Sequence, residues 1–292
     1  MKEEIALGLH RIRAANPSPL TGSGTNSYLV GTGAALALID PGPDLPPHRE
    51  ALLHALAPGQ RISHILVTHP HRDHSALAMG LAVEIGAELL AFGTARDGLS
   101  PRMRELAEAG TIPAGEGADQ AFYPARRLAH GDLVEGDGWQ IEALHTPGHM
   151  ASHLSFAFGD VLFSGDHVMG WSTSLVAPPE GDMAAYMTSL ALLSARPWRV
   201  FLPGHGDLVT NPAARLAELT HHRRAREAAI LAALSSGLCT VAEIAERVYT
   251  ATPPAMMPAA ERNVLAHLID LVDRGEVTPS APPGPGARFV RQ

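Results

Sequence analysis

The chain has 292 residues, of which 46% are hydrophobic and 18% charged, and its formal net charge is −8. This composition predicts a globular protein with a sizeable core and excludes a chain that is disordered throughout. The single cysteine, Cys239, excludes an intramolecular disulfide framework, and the acidic balance gives no general electrostatic reason to bind nucleic acid.

The N-terminal segment MKEEIALGLHRIRAANPSP carries charge on both sides of a very short apolar run. It lacks the apolar core of a secretory signal, and no stretch of the sequence approaches the roughly 20 apolar residues that span a bilayer. We therefore expect a soluble, cytoplasmic protein with no membrane partner.

Strand-like and helix-like segments alternate over the first two thirds of the chain. Gly-rich turns separate the apolar runs SYLVG (27–31) and AALALID (34–40), which predicts a hairpin. The buried-strand run SHILVT (63–68) leads directly into a cluster of histidines. The apolar periodicity also predicts helices at PPHREALLHALA and SALAMGLAVEIGA and a strand at ELLAF.

From residue 96 to 120 the apolar pattern weakens, so we expect a surface excursion with one helix at PRMRELAEAG. Strands resume at WQIEALHT, HLSFAF, DVLFSGD and RVFLPG, and the helix DMAAYMTSLALLSA precedes the last of them. Many short strands with interspersed helices predict an α/β or α+β sheet domain.

Composition changes near Pro212, and the rest of the chain is predicted to form a separate module. Helical patterns cover 214–237, 240–249 and 258–275, and Thr240 with Glu243 forms a capping box at the start of the second helix. Short strand-like pieces then flank the turn-rich SAPPGPGA. Three helices and a hairpin indicate a winged-helix-like module, so we assign 1–212 to the main domain and 213–292 to the linking helix and this module.

The densest histidine cluster is THPHRDHS, whose imidazoles and carboxylate suit zinc or another first-row divalent ion. Pro70 disfavours helix at His69, so His69 and His71 should project from an extended segment to the same side and bind one ion. Asp73 and His74 lie where the next helix should begin, which suits a second ion close by. The alternative is a polar loop whose histidines are only solvated.

Three later motifs strengthen the metal interpretation. HTPGH ends in His149, FSGD ends in Asp166, and FLPGH ends in His205, each after a strand-like run and beside a glycine turn. LALID ends similarly in Asp40. Because strand ends converge on one edge of a sheet, these loops can meet in space although they are distant in sequence.

This ordered set resembles the metallo-β-lactamase superfamily over about residues 1–210. Within that superfamily the sequence is most similar to the branch called β-lactamase-like protein 2, through NPSPLTGSGTNSYLVG, THPHRDHS, TPGHMASH, FLPGHGDLV and HHRRAREAAIL. That likeness covers nearly the whole chain. It implies an α+β fold, a four-layered αβ/βα sandwich, followed by a small winged-helix-like module.

The resemblance also implies a dinuclear site. By the family's pattern, the first metal is bound by His69, His71 and His149, the second by Asp73, His74 and His205, and Asp166 bridges the two. Asp40 is not a ligand in that pattern but supports the site from behind, in line with the need to orient metal ligands.

The implied activity is hydrolysis of an ester, thioester, lactone or similar bond by a hydroxide that bridges two divalent ions. Asp73 and Asp166 are the predicted catalytic residues. With two aspartates and one hydroxide, two divalent ions keep a small positive charge, which favours an anionic substrate or one that develops an oxyanion. Zinc is the expected metal, and iron or manganese can bind the same ligands.

Two alternatives stay open. The same branch includes an endoribonuclease, so the substrate can be single-stranded RNA rather than a small-molecule ester or thioester. A non-catalytic metal-binding interaction protein is the other class, although an intact set of seven ligands argues against it. Antibiotic hydrolysis is not expected, because the secreted zinc lactamases usually place a cysteine in the second metal site, and Cys239 lies in the C-terminal module.

The C-terminal module is not expected to bind DNA. From Glu227 onward five arginines face seven acidic residues, whereas phosphate contacts dominate affinity for nucleic acid. The basic run His221–Arg226 is interpreted as a solvated helix face or a domain contact, with a phosphate-binding strip as the alternative. No pattern fixes an oligomeric state.

Weaker candidates surround the predicted ligands. His153 is a substrate contact, a support for the ligands or a structural residue, and His167 is buried or solvated rather than in the cleft. The segment Met169–Val176 is expected to line the mouth of the pocket, where Trp171 belongs either to the core or to a substrate platform. Structural roles are favoured for two residues of the NSYLV run, Asn26 and Tyr28.

Overall fold

The computed structural model describes residues 2–113, 115 and 117–292. The strands are β1 Lys2–Ala6, β2 Leu9–Arg13, β3 Asn26–Val30, β4 Ala35–Ile39, β5 Arg61–Leu66, β6 Glu88–Ala91, β7 Arg126–Arg127, β8 Leu133–Glu135, β9 Gln140–His145, β10 Leu154–Phe158, β11 Val161–Gly165, β12 Val200–Pro203, β13 Cys239–Thr240, β14 Val277–Pro279 and β15 Arg288–Arg291. The helices are α1 Pro46–His54, α2 Arg72–Ser75, α3 Ala78–Ile85, α4 Pro101–Glu108, α5 Met183–Ser194, α6 Pro212–Ala233, α7 Val241–Val248 and α8 Met257–Asp273. Within these residues, no helix has the length and apolar character needed to cross a membrane.

Two sheets form the larger part of the molecule. The first contains β1 to β7 in chain order, antiparallel from β1 to β4 and parallel from β4 to β7. The predicted hairpin is β3 and β4, whose register pairs Tyr28 with Ile39. The second sheet has the order β12-β11-β10-β9-β8 and is antiparallel except between β11 and β12. A parallel pair needs a crossover connection, and α5 supplies it here.

Apolar side chains from the two sheets pack face to face. Val30, Ile39 and Leu66 of the first sheet belong to the same buried cluster as Phe156 and Phe163 of the second. Each of these side chains is at most 1% exposed, so this cluster is the central core. Removal of so much apolar surface from water is the main force that holds the sheets together.

Helices cover the outer face of each sheet. Leu52 of α1 and Leu81 of α3 pack on the first sheet, and Leu190 of α5 and Leu216 of α6 pack on the second. The order of layers is therefore helices, sheet, sheet and helices. This is the predicted four-layered αβ/βα sandwich, and the α+β fold class is confirmed.

The C-terminal module has its own core. Ile230 of α6, Ile244 of α7, Leu268 of α8 and Phe289 of β15 share one buried cluster, beside a three-stranded sheet of order β13-β15-β14. The predicted capping box is present, since Glu243 N donates to Thr240 Oγ1 at 3.2 Å and Thr240 N donates to Glu243 Oε2 at 2.7 Å. Three helices and a small antiparallel sheet confirm the winged-helix-like architecture.

The two cores share structural elements. Helix α6 contributes Leu216 and Leu219 to the sandwich and Ile230 to the module. Met103 and Leu106 of α4, which lies within the first 212 residues, are buried in the core of the module. The division between residues 212 and 213 stays a prediction, because α6 starts at Pro212 and packs on both sides of it.

Some elements differ from their predicted extents. The helix expected at 75–87 is the shorter α3, which ends at Gly86, whose φ of 67° is left-handed. The short α2 precedes it and reaches only Ser75. The sequence reading did not find β1, β2, β7, β8 or β13. The apolar residues of β2, Leu9 and Ile12, stand three positions apart, and β8 has only three residues. Strand β1 is mostly exposed and β7 and β13 have two residues each, so none carries the apolar alternation that identifies a strand.

A buried histidine in the module makes the stability of the protein sensitive to acid. His267 of α8 is 1% exposed, and neither ring nitrogen has a hydrogen-bond partner among the described residues. Burial lowers the pKa of His267 to about 3, and the neighbouring Arg223, His222, Arg274 and Arg226 act in the same direction. Between this value and the ordinary pKa of about 6.5, the unfolded chain binds a proton here that the folded chain does not.

We therefore expect the unfolding free energy to fall as the pH drops below about 6.5. His267→Leu removes this one contribution, so between pH 7.5 and 5 the wild-type protein should lose about 2 kcal/mol relative to the variant. Urea unfolding of both proteins at the two pH values measures this difference. Equal losses in the two proteins would contradict the assignment of a neutral buried His267.

Candidate metal centre

Five strand ends carry the predicted site residues to one edge of the sandwich. Asp40 follows β4, His69 lies just beyond β5, and His149, Asp166 and His205 come after β9, β11 and β12. Strands β4 and β5 are parallel, and so are β11 and β12, so their carboxyl ends point the same way within each sheet. The structure thus brings together residues that are up to 165 positions apart in sequence.

The first group consists of His69, His71 and His149, which each offer a ring nitrogen within 4.8 Å of the others. His69 Nε2 lies 3.0 Å from His71 Nδ1, and His149 Nε2 lies 3.0 Å from the same atom. His71 has extended dihedral angles, φ −77° and ψ 142°, immediately before α2. The extended His69-Pro70-His71 segment therefore projects both imidazoles to one side, as predicted.

Hydrogen bonds on the far side of the rings fix two of these tautomers. Thr68 Oγ1 donates to Asp40 Oδ2 at 2.8 Å, so its lone pair accepts from His69 Nδ1 at 3.0 Å. His149 Nδ1 donates to the carbonyl oxygen of Leu175 at 2.7 Å. In both rings Nε2 is consequently the unprotonated atom, and it faces the other histidines.

The second group consists of Asp73, His74 and His205. His205 Nε2 lies 3.2 Å from Asp73 Oδ2 and 3.2 Å from His74 Nε2. His74 Nδ1 donates to Asp40 Oδ2 at 2.9 Å, and this leaves Nε2 directed at the group. Asp73 and His74 lie in α2 and form a group separate from that of His69 and His71, so their binding of a second ion stays a prediction.

Asp166 lies between the two groups. Its Oδ2 is 3.3 Å from His205 Nε2 and 3.8 Å from His149 Nε2, and its Oδ1 is 3.5 Å from His74 Nε2. Gly204 makes room for this arrangement, because a Cβ there would lie 2.5 Å from both Asp166 Oδ1 and the His74 ring. One carboxylate is therefore within reach of both groups.

The electrostatics of the two groups differ. Burial and the neighbouring histidines lower the pKa of His69 well below its ordinary value, and burial lowers the pKa of His71 to about 3. Burial also opposes charge on His205, but Asp166 and Asp73 outweigh it and raise its pKa to about 9. For His74 the three carboxylates of Asp73, Asp166 and Asp40 likewise outweigh burial and hold its pKa well above the usual range. The first group is thus neutral and the second carries compensating charges.

The donor set fits divalent metal ions. In the first group, His69 and His149 present unprotonated nitrogens to His71 Nδ1, which can donate only one proton, so at least two lone pairs face one another. A cation relieves that repulsion. Buried Asp166 Oδ1 accepts no hydrogen bond among the described residues, and its nearest charged neighbour is His74 Nε2 at 3.5 Å. A cation beside this oxygen would satisfy it better. Imidazole and carboxylate are ligands that zinc, iron and manganese all accept.

Three residues support the ligands, and the resemblance had indicated only Asp40 among them. Asp40 has φ 49°, and its carboxylate accepts from Thr68 N at 2.7 Å, Thr68 Oγ1 and His74 Nδ1. Thr68 and the carbonyl of Leu175 hold ligands of the first group, and sequence reasoning identified neither. Thr68 stands in the quoted THPHRDHS motif, which is the only signal that pointed to it.

His153 and His167 are both fully buried, so neither can touch a substrate in this arrangement. His153 Nε2 accepts from Asp166 N at 3.3 Å, and its Nδ1 bonds Thr146 Oγ1 at 2.9 Å, which makes it a support for Asp166. His167 packs against the ring of Tyr186 with its centroid 4.6 Å away, as expected for a core residue.

Two polar residues of β3 hold the loop that carries His205. Asn26 Nδ2 donates to the carbonyl oxygens of Pro203 at 3.0 Å and Gly206 at 2.9 Å, and Tyr28 Oη donates to that of Pro203 at 2.7 Å. Both residues are buried, so their contacts agree with the structural roles predicted for them.

The basic run on α6 is divided among several environments. His221 and Arg224 are exposed, whereas Arg223 is buried and Arg226 donates to the carbonyl oxygen of Val248 at 2.7 Å. The exposed members of the run fit the predicted solvated face. The members with contacts inside the protein do not belong to that face. A continuous phosphate-binding strip does not fit a run whose central arginine is buried.

Two surface cavities open beside the two groups of candidate ligands. One, of about 440 Å³, is lined by Pro43, Asp44, Arg72, Asp73, Ala76 and Asp119. The other, of about 470 Å³, is lined by Gly22, Ser23, Gly170, Trp171, Gly206, Asp207 and Leu208. Trp171 is 46% exposed there, so it is a surface residue of the predicted pocket mouth and not part of the core.

Asp40→Asn tests the support that this carboxylate gives. The variant removes a charged acceptor behind His74, so we expect zinc affinity to fall by about 10- to 100-fold for one of the bound equivalents. Competition with a chromophoric chelator measures the affinity. Asp44→Asn makes the same chemical change at an exposed residue of the neighbouring cavity and should bind zinc as the wild type does. Unchanged affinity in Asp40→Asn would contradict the support role.

Comparison with known proteins places this geometry in a family. The metallo-beta-lactamase superfamily profile matches residues 20–208, and that of the beta-lactamase associated winged helix domain matches residues 240–281. The Beta-lactamase-like protein 2 homolog of Drosophila melanogaster is 32% identical over 91% of this chain and 88% of its own length. The Atrochrysone carboxyl ACP thioesterase of Aspergillus chevalieri is 28% identical over 83% of this chain and 73% of its own.

Solved structures extend the likeness to the whole fold. A metallo-beta-lactamase family protein from Thermus thermophilus superimposes with a TM-score of 0.79 and 27% identity, over 99% of this chain and 100% of that one. TTHA1623, solved in a di-iron-bound form, is 30% identical with a TM-score of 0.51, over 70% of this chain and 97% of that one. The chain therefore belongs to the metallo-β-lactamase superfamily and carries the winged helix domain associated with it.

Proposed function

We propose that the protein is a metal-dependent hydrolase that holds two divalent ions and cleaves an ester, a thioester, a lactone or a similar bond. The observation that carries this proposal is the position of Asp166. Its carboxylate lies within 3.8 Å of ring nitrogens from both ligand groups, so it can bridge two ions. His69, His71 and His149 would hold the first ion, and Asp73, His74 and His205 the second.

Two ions bound here would supply a hydroxide nucleophile at neutral pH and polarise the oxygen atom of the bond under attack. The protein's own residues prepare the site for that chemistry. The fixed tautomers of His69 and His149 keep unprotonated nitrogens facing inward. Asp40 holds His74 and Thr68 with one carboxylate, so the two groups keep a constant spacing.

Asp73 and Asp166 are the proposed catalytic residues, because their exposure distinguishes them from the supporting aspartate. The side chain of Asp73 is 28% exposed and that of Asp166 10%, whereas that of Asp40 is 3% exposed. Asp73 also lines the 440 Å³ cavity. A group that meets reacting atoms must be reachable from solvent, and these two carboxylates are.

The charges around the cavities favour a small substrate over a nucleic acid. Apart from Asp73, whose charge a bound ion would compensate, Asp44 and Asp119 line one cavity and Asp207 the other, and Arg72 is the only basic residue among the linings. A polyanion would meet like charge at both, whereas a neutral ester or thioester would not. The likeness to a fungal thioesterase supports the same class.

The metals are proposed to be zinc, with iron and manganese as alternatives for the same ligands. The likeness to a protein solved with two irons supports a dinuclear site and keeps iron in consideration. Elemental analysis of protein purified without added metal decides both the identity and the number of ions per chain.

Asp166→Asn tests the proposed centre. Asp166 is placed to reach both ions. Removal of its charge should therefore lower activity by at least the roughly 100-fold that is seen when a residue supporting a metal ligand is removed. We expect at least that loss in kcat/KM on the best substrate of a panel of thioesters, esters and lactones, together with loss of at least one metal equivalent. Asp160→Asn, in the exposed turn between β10 and β11, is the matched control and should keep both.

Other outcomes separate the alternatives. Turnover of a short single-stranded RNA that Asp166→Asn abolishes, without turnover of the small-molecule panel, would replace the proposed substrate class by a phosphodiester. Two bound metals without turnover of any substrate would point to a non-catalytic metal-binding protein.

A further inference from the structure

The carbonyl of Leu175 is a fixed point between the C-terminal helices and the ligand His149. It accepts the Nδ1 proton of His149 at 2.7 Å, and it lies in a loop between β11 and α5 that has no strand or helix of its own. A loop carbonyl can hold a histidine ring in place only if the loop itself is held. The contacts of Ser174 and Val176, on either side of Leu175, show what holds it.

Asn263 of α8 binds the backbone of Val176, the residue after Leu175. Val176 N donates to Asn263 Oδ1 at 3.1 Å, and Asn263 Nδ2 donates to the carbonyl oxygen of Ala259 at 3.2 Å. The two bonds together fix which way the amide points, with its oxygen towards the loop. This contact connects residues 87 positions apart, from the module to the sandwich.

Arg223 of α6 binds the backbone of Ser174, the residue before Leu175. Its Nη2 donates to the carbonyl oxygen of Ser174, and its Nη1 donates to Asn263 Oδ1 at 3.1 Å. The guanidinium also lies 5.0 Å from the ring centroid of Tyr186. Arg223 is 1% exposed, yet these partners are all neutral. Burial of a charge with neutral partners costs free energy, so a contribution to stability does not by itself explain an arginine at this position.

From these contacts we infer that Arg223 and Asn263 are positioning residues for His149 and that the C-terminal module completes the metal centre. The pair fastens the backbone on both sides of Leu175, and the carbonyl between them sets the tautomer and the orientation of the His149 ring. The consequence for metal binding rests on the proposed function, because it takes His149 as a ligand.

The planar guanidinium suits this role better than an ammonium group would. Its separate nitrogens reach Ser174 and Asn263 at the same time, and its flat face lies over Tyr186. Lysine offers one compact charge and no such fork, so Arg223→Lys should keep one contact and lose the other.

The test uses full-length Arg223→Met and Asn263→Ala, with Arg226→Met as the matched control. Arg226 lies on the same helix, but it binds Val248 and stacks on Tyr249 within the module. Nitrogen NMR of the metal-depleted proteins reports the His149 tautomer, with its signal assigned by loss in His149→Gln. Chelator competition then gives the zinc affinity.

Wild type and Arg226→Met are expected to show His149 protonated at Nδ1 alone. Arg223→Met and Asn263→Ala should show a mixture of His149 tautomers. Both should bind one of the zinc ions about 10-fold more weakly, which is the smallest effect typical for loss of a residue that supports a metal ligand. We expect the smallest effect because both residues act through Leu175. Arg223→Lys should lie between. A purely structural role would lower the melting temperature and leave the tautomer unchanged.

The inference is overturned if both variants fold and keep the wild-type tautomer. Should Arg223→Met fail to fold, Asn263→Ala decides alone, because it removes one acceptor at a partly buried site. If the wild-type protein binds no zinc, iron or manganese, the proposed function fails, and the tautomer still decides whether the module positions His149.

Discussion

One carboxylate organises the candidate metal centre. Asp40 leaves β4 with a left-handed φ of 49° and receives three hydrogen bonds, two from Thr68 and one from His74. Thr68 in turn accepts a hydrogen bond from His69 of the first group, and His74 itself belongs to the second group. Such a backbone angle is unfavourable for a residue with a side chain, so the contacts of the carboxylate must stabilise it. The spacing of the two groups depends on this single side chain.

Protons and cations compete for the atoms that Asp40 arranges. The carboxylates around His74 and His205 raise the pKa of both rings, whereas burial keeps the first group neutral. A metal ion would have to displace a proton from the second group, whereas it would meet free lone pairs in the first. The two positions thus differ in how their charge is balanced, although they share Asp166. This asymmetry follows from the fold, because α2 alone supplies Asp73 and His74.

Local patterns predicted which candidate ligands the structure brings together. His69, His71, Asp73 and His74 fall within six residues, and Pro70 dictates the extended backbone that points the first two the same way. The later ligands each end a strand-like run at a glycine turn. Most strands and helices could also be predicted, because strands buried on both faces form short apolar runs and helices form periodic ones. The four-layered arrangement followed only from the resemblance to the superfamily.

The supporting roles of Leu175 and Arg223 could not be predicted, because each acts through a contact that is remote in sequence. Leu175 serves with its backbone oxygen, which no side-chain pattern reveals, and lies 26 positions from His149. Arg223 is 49 positions from the carbonyl it binds, and its neighbours in the basic run indicated a solvated helix face. Only the packing of α6 and α8 against the sandwich turns that arginine inward.

The packing of α4 and α6 bears on how the chain can be divided. Two helices supply apolar side chains across the predicted boundary, since Met103 and Leu106 enter the core of the module and Leu216 enters that of the sandwich. Cleavage between the two matched regions would expose apolar surface on both fragments. We regard the protein as one cooperative unit of unfolding, in which the winged helix is an integral part of the scaffold that carries the candidate site.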